Sequence, residues 1–150
     1  MGESSERVAP QRLSLVTLGV KDLDRAGSFY ESVGFQRPHD LPGIVFFRTA
    51  GPVLALYGWD ELAADAQVPS EGSGFRGVTL ACNVDSSEAV DATYRAWLRA
   101  GAKSVREPVD KEWGGYSGYV ADPDGHLWEL GYNPSTDLME IGPDGILRLV

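Results

Sequence analysis

The 150-residue chain has one cysteine, two methionines and two histidines, and its 13 Lys and Arg are outnumbered by 22 Asp and Glu. A lone Cys82 excludes an internal disulfide framework and suits a reducing compartment. The net charge of −9 leaves no basic footprint for nucleic acid or anionic lipid. No apolar run approaches the roughly 18 residues that a membrane span requires. Met1 to Pro10 are polar and lack the apolar centre of a secretory signal. Neither GxxxxGK[ST] nor GxGxxG stands between a strand and a helix, and no Gly-x-Ser-x-Gly elbow occurs. The expectation is a cytoplasmic protein with no nucleic-acid and no membrane partner.

What is present is a globular composition: 43% hydrophobic residues, enough at this length to bury a core without covalent staples. Glycines and prolines cut the chain into a repeating order. Leu13 to Val20 alternates as a strand, Asp22 is placed as an N-cap, Leu23, Ala26, Phe29, Tyr30 and Val33 recur at helical spacing, and Gly34 closes the helix. A short strand near Phe35 to Arg37, then Ile44–Arg48 and Val53–Tyr57 around a Gly51-Pro52 turn, follow, with a short helix over Trp59 to Asp65. The polar, glycine-rich stretch 68–76 reads as a linker.

The same order then returns. Gly77 to Val84 reads as a strand, Asp85 with Glu88 as a capping-box-like start, and Ala89, Val90, Tyr94, Trp97 and Leu98 as an apolar stripe that ends at Gly101. Three strands follow over Lys103–Val105, Tyr116–Ala121 and His126–Tyr132, the last two joined by an Asp122-Pro123-Asp124-Gly125 turn. The prediction is an α+β protein with a flexible N-terminus (1–12), a first βαβββ module (13–67), the linker (68–76), a second module (77–133) and a C-terminal tail (134–150).

Val-Thr-Leu-Gly-Val-Lys-Asp-Leu from Val16, Phe29-Tyr30, Gly34-Phe35, and above all Ala-Asp-Pro-Asp-Gly-His-Leu-Trp-Glu-Leu from Ala121 resemble the vicinal oxygen chelate superfamily. That grouping holds glyoxalases, extradiol dioxygenases, and fosfomycin and bleomycin resistance proteins. Trp113-Gly-Gly-Tyr116 resembles an uncharacterised bacterial glyoxalase-like branch. The resemblance implies a cup-shaped, partly open mixed β-barrel with helices packed outside, and a homodimer. It also implies a divalent metal held by one residue from each of four strands, usually His, Gln or Glu. Carried onto this chain, those positions are Leu15, Ala55, Thr79 and Glu129. Two have no donor atom and a neutral hydroxyl is a poor ligand, so one carboxylate remains where a metal needs several N or O donors. No metal and no cofactor are expected.

Strand parity then predicts the cup lining. Leu15 brings Thr17, Ala55 brings Tyr57, and Thr79 brings Asn83. Phe46 or Phe47, with Phe47 taken as the site residue, Trp113 and Tyr116 supply aromatic walls, with Trp59 and Tyr119 as further candidates. Glu129 is the residue on which function is expected to turn: acceptor for a ligand amine or hydroxyl, general base toward an acidic C–H, residual metal ligand, or relic. His126 has the opposite parity and faces away, His39 sits in a polar loop, and Cys82 reads as a small core residue. The leading expectation is a metal-independent binder of an aromatic or natural-product-like small molecule. The alternatives are a lyase, isomerase or dioxygenase using Glu129, and a partner domain whose tail adds an edge strand.

Overall fold

The first helix starts where Asp22 can serve it: in extended conformation, its side chain accepts a hydrogen bond from the Arg25 backbone N–H, satisfying an orphan donor of the first turn. The computed structural model describes residues 11–150. Its elements are β1 (Leu15–Val20), α1 (Leu23–Ser32), β2 (Ile44–Phe47), β3 (Val53–Gly58), α2 (Trp59–Ala66), β4 (Thr79–Asn83), α3 (Ser87–Ala100), β5 (Lys103–Asp110), β6 (Tyr116–Ala121), β7 (Leu127–Tyr132), β8 (Met139–Ile141) and β9 (Leu147–Leu149). Gly34 and Gly101 follow α1 and α3 with φ of 111° and 117°, the left-handed backbone that glycine adopts without a Cβ clash. The N-cap of α3 is Ser86, whose hydroxyl accepts from the Ala89 N–H; the expected cap, Asp85, lies one residue too early. Most of the expected flexible N-terminus lies outside the described residues.

Among the described residues three helices and three sheets make a mixed α+β fold. One sheet has the order β1-β3-β2, the second β4-β7-β6-β5, and β8 pairs only with β9. The two larger sheets repeat one pattern. β1 runs parallel to β3 with Leu15 opposite Val53, and β4 runs parallel to β7 with Thr79 opposite Leu127. The short strand expected near Phe35 is reduced to a single bridge, Gln36 to Arg48. Among the described residues no barrel closes, because β1 and β4 each end their sheet unpaired on one side. The C-terminal tail forms its own hairpin rather than extending either larger sheet.

One core serves both halves. Leu18, Val20, Phe47, Leu54 and Leu56 of the first sheet meet Ala26, Phe29 and Tyr30 of α1, Tyr94 and Trp97 of α3, and Val120, Trp128 and Leu130 of the second sheet. Aromatic contacts knit it: Phe29 edge-on to Trp97 at 5.8 Å, and tilted pairs Phe35 to Trp128 at 5.9 Å and Trp97 to Trp128 at 5.0 Å between ring centroids. Such pairs are each worth about 0.5–1.5 kcal/mol beyond the area they bury. The helices α1 and α3 meet each other through Phe29 and Trp97, on the side of the sheets that carries the core. This leaves the opposite sheet faces, on which Glu129 stands, outside the common core.

Candidate functional site

The face of the second sheet turned away from α3 is set by alternation: Trp128 and Leu130 enter the core, so Glu129 and Gly131 face the other way. Ladder register places Ala81 and Tyr119 on either side of Glu129, with Arg106 beyond Tyr119. The next row is Asn83, Gly131, Ser117 and Val109. Glu129 is half-buried. Desolvation, and then the Glu129 carboxylate, raise the Tyr119 hydroxyl above its ordinary range, with Arg106 opposing. Tyr119 thus stays a protonated donor beside an acceptor.

The structure distributes the expected site residues unevenly. Leu15 (44% exposed) and Thr79 and Asn83 stand on exposed strand positions. Thr17 and Tyr57 are half-buried and Ala55 fully buried, all on the face of the first sheet away from the core. Part of that face is covered: α2 lies across Gly19, with Trp59 Cα and Leu62 Cδ2 at 3.3 Å and 3.6 Å from where a Cβ would be. Trp113 is 54% exposed, its ring laid over Gly115 where a Cβ would otherwise go.

Two expected residues point elsewhere. Phe47 is fully buried in the core against Tyr30 and Phe35; the register pairs its neighbour Phe46 with Ala55, so Phe46 shares the outer face. Tyr116 has the parity of Val120, and its hydroxyl donates 2.7 Å to Asp91 Oδ1 on α3. Both errors are one-residue shifts, which in a strand exchange the faces. Phe46 and Tyr119, the alternatives also offered as aromatic walls, stand on the outer faces, and Ser117, absent from the expected lining, shares Glu129's face. The core membership of Val120 was the signal that fixes this parity.

Three prominent concavities on the described residues have no contribution from Glu129. The first, of about 560 Å³, lies between the C-terminal hairpin and the edges of the two larger sheets, with Leu13, Phe35, Leu80, Trp128 and Ile146 in its lining. The second, of about 480 Å³, follows the seam between β1 and β4 past Thr17 and Phe75. The third, of about 620 Å³, surrounds Trp59 and is charged, lined by Lys21, Arg25 and Asp124 among others. No helix among the described residues is long and apolar enough to cross a membrane.

The sequence profile of the glyoxalase/bleomycin resistance protein/dioxygenase superfamily matches residues 12–130, and the chain belongs to that family. A metallothiol transferase, FosB, from Shouchella clausii is 32% identical over 119 residues, covering 77% of this chain and 75% of that protein. The crystal structure of a glyoxalase-related enzyme from Fulvimarina pelagi superposes with a TM-score of 0.82 at 34% identity, over 93% of this chain and 99% of that one. A glyoxalase/bleomycin resistance protein/dioxygenase family enzyme from Burkholderia phytofirmans gives a TM-score of 0.74 at 25% identity, over 81% and 98%. Uncharacterized mycobacterial proteins are 50% identical over 42 residues only, about a quarter of their length.

The metal expected of that fold does not fit the residues at its four positions. Leu15 and Ala55 offer no lone pair, and Thr79 offers a neutral hydroxyl. Glu129 is flanked by Ala81 and Tyr119. Among the described residues no three His, Cys, Asp or Glu side chains are grouped to hold an ion. A single carboxylate does not compete with water for a borderline divalent cation.

Proposed function

We propose that the protein is a metal-independent binder of small aromatic or natural-product-like molecules, using the sheet face that carries Glu129. The observation that carries this reading is the setting of Glu129: a half-buried carboxylate between Ala81 and Tyr119, on a chain whose other three family-type ligand positions are Leu15, Ala55 and Thr79. A carboxylate beside a protonated phenol recognises a ligand group that both donates and accepts a hydrogen bond. The Tyr119 ring and the side-chain-poor neighbours Ala81 and Gly131 suit a flat, largely apolar body. A second copy of the chain is the expected partner, supplying the wall that one chain leaves open.

The test is thermal stabilisation by a panel of planar natural products, with chelator or with added Zn²⁺. A native-state binder raises Tm by mass action. The reading expects the same ligand shift in both conditions and a loss of about tenfold in affinity for Glu129→Gln. A shift that requires Zn²⁺, or that ignores Glu129→Gln, overturns it.

A second reading is catalytic, with Glu129 as general base or residual metal ligand in a lyase, isomerase or dioxygenase. The adjacency of Glu129 and the protonated Tyr119 favours it, since the pair offers a proton acceptor and a proton donor side by side. As a base mechanism it expects turnover of an activated carbonyl compound that survives chelator and collapses in Glu129→Gln.

A further inference from the structure

The concavity of about 560 Å³ beside the C-terminal hairpin falls in the size range of small-molecule sites, about 300–1,000 Å³. None of its eighteen lining residues is charged. In a chain that is 23% charged, eighteen residues would carry about four charges. Phe35 and Trp128 reach it from the shared core, Leu80 and Cys82 from β4, and Ile146 and Leu147 from the hairpin. The Thr49 hydroxyl, also in the lining, is already bonded within its own turn, to the Gly51 N–H and the Pro52 carbonyl. An ionic group entering here would lose its hydration and meet no countercharge, which is costly. A neutral, apolar molecule would exchange water for aromatic and aliphatic contacts. The Trp59 concavity has comparable size but is lined by charges of both signs, so the uncharged lining is a local property.

We infer that this cavity is a second small-molecule site, built for a neutral and largely apolar ligand, with the C-terminal hairpin as its outer wall. Glu129 and Tyr119 are not in its lining, and it shares only the β4 edge residues Ala81 and Asn83 with the Glu129 face. A second copy of the chain is a poorer occupant: a stable pairing needs about 800 Å² of matching surface per partner, whereas this is a half-open concavity of small-molecule size bounded by three parts of one chain.

The probe is N-phenyl-1-naphthylamine, a neutral fluorophore that brightens when desolvated. The expected result is saturable binding of one probe per full-length chain. Ile146→Asp places a charge in the hairpin wall, and Ala50→Trp fills the lip from an exposed position. Each is expected to weaken binding at least tenfold with Tm retained, and Ala50→Trp decides alone if Ile146→Asp fails to fold. The probe is also expected to slow alkylation of Cys82 by N-ethylmaleimide, and the anionic analogue 8-anilinonaphthalene-1-sulfonate to bind more weakly. Unchanged affinity in the folded variants, unprotected Cys82, or tighter binding of the anion would each overturn the inference. So would a dimer that dissociates in Ile146→Asp in step with probe loss, which would make this face an interface between copies.

Discussion

The hydroxyl of Tyr30 on α1 donates a 2.6 Å hydrogen bond to Asp122 Oδ2, 92 residues away at the turn between β6 and β7. The same hydroxyl accepts from Trp128 Nε1 at 3.0 Å. The other Asp122 oxygen accepts the backbone N–H groups of Asp124 and His126, at 2.9 Å and 2.8 Å. Asp122 is 2% exposed. A buried carboxylate is tolerable only when its lone pairs are occupied, so this one bond joins the folding of the second-half turn to the first-half helix.

Tyr30→Phe keeps the ring and its aromatic contacts but leaves Asp122 Oδ2 without a donor and Trp128 without an acceptor. The expected loss is about 2–3 kcal/mol, in the range for hydrogen bonds to charged groups. Thermal unfolding should show a Tm lower by roughly 5–10 °C. A fall of less than 2 °C would mean that water replaces the hydroxyl at no cost.

Stability should also fall in alkali, and through the same residue. Burial first, and then the Asp122 carboxylate, push the Tyr30 hydroxyl far above its ordinary value near 10. Above that ordinary value the unfolded chain releases this proton while the folded chain holds it. The unfolded state then binds fewer protons, and stability declines with rising pH. The contribution is complete below about pH 10 and erodes by about 1.4 kcal/mol per pH unit above it. Urea unfolding at pH 8 and pH 11 should show this decline in the native protein and a shallower one in Tyr30→Phe.

Most helix ends and turns were legible in the sequence because each rests on one residue with a local job: Asp22 caps α1, Gly34 and Gly101 take positive φ, and the turn at 122–125 needs its proline and glycine; at α3 two adjacent cap formers, Asp85 and Ser86, competed, and Ser86 is the cap. Family membership was legible in the stretch around Asp122 to Leu130. Strand faces were less so. An apolar pair such as Phe46-Phe47, or the tyrosines of β6, three residues apart and so on opposite faces, reads equally well in either parity until a core contact fixes one. The role of Asp122 as the tie to Tyr30 was not legible, since a turn aspartate bonded to its own backbone and one bonded across 92 residues look alike in sequence. Nor was the arrangement of the two sheets, because a repeat of βαβββ order fixes each half and not how the halves meet.

Two glycines separate space from backbone conformation. At Gly118 a Cβ would sit 2.7 Å from the Arg106 carbonyl oxygen and 2.8 Å from the Pro108 nitrogen, where the pairing of β5 with β6 shifts register. Main-chain atoms cannot swing aside, so Gly118→Ala should cost about 3 kcal/mol, at the upper end for overpacking. At Gly34 nothing lies within 4 Å, but φ is +111°. Gly34→Ala should cost about 1–2 kcal/mol from conformation alone. Denaturant midpoints of the two variants check the order; a larger loss at Gly34 would contradict it.

His126 ties the halves together at a second point, and its two contacts can be separated. Its Nε2 lies 2.8 Å from the Gly19 carbonyl oxygen of β1, and its ring stacks on Trp59 at 5.9 Å. Trp59 in turn donates from Nε1 to the Ser70 carbonyl in the segment joining the halves. His126→Phe keeps an aromatic ring over Trp59 and removes the bond to Gly19, so it should cost about 0.5–1.5 kcal/mol. His126→Ala removes both contacts and should cost about 1 kcal/mol more. If the stack holds the joining segment down, proteolysis within 68–76 should accelerate in His126→Ala and stay near the native rate in His126→Phe. Equal cleavage in the two variants would assign the restraint to the Gly19 bond instead.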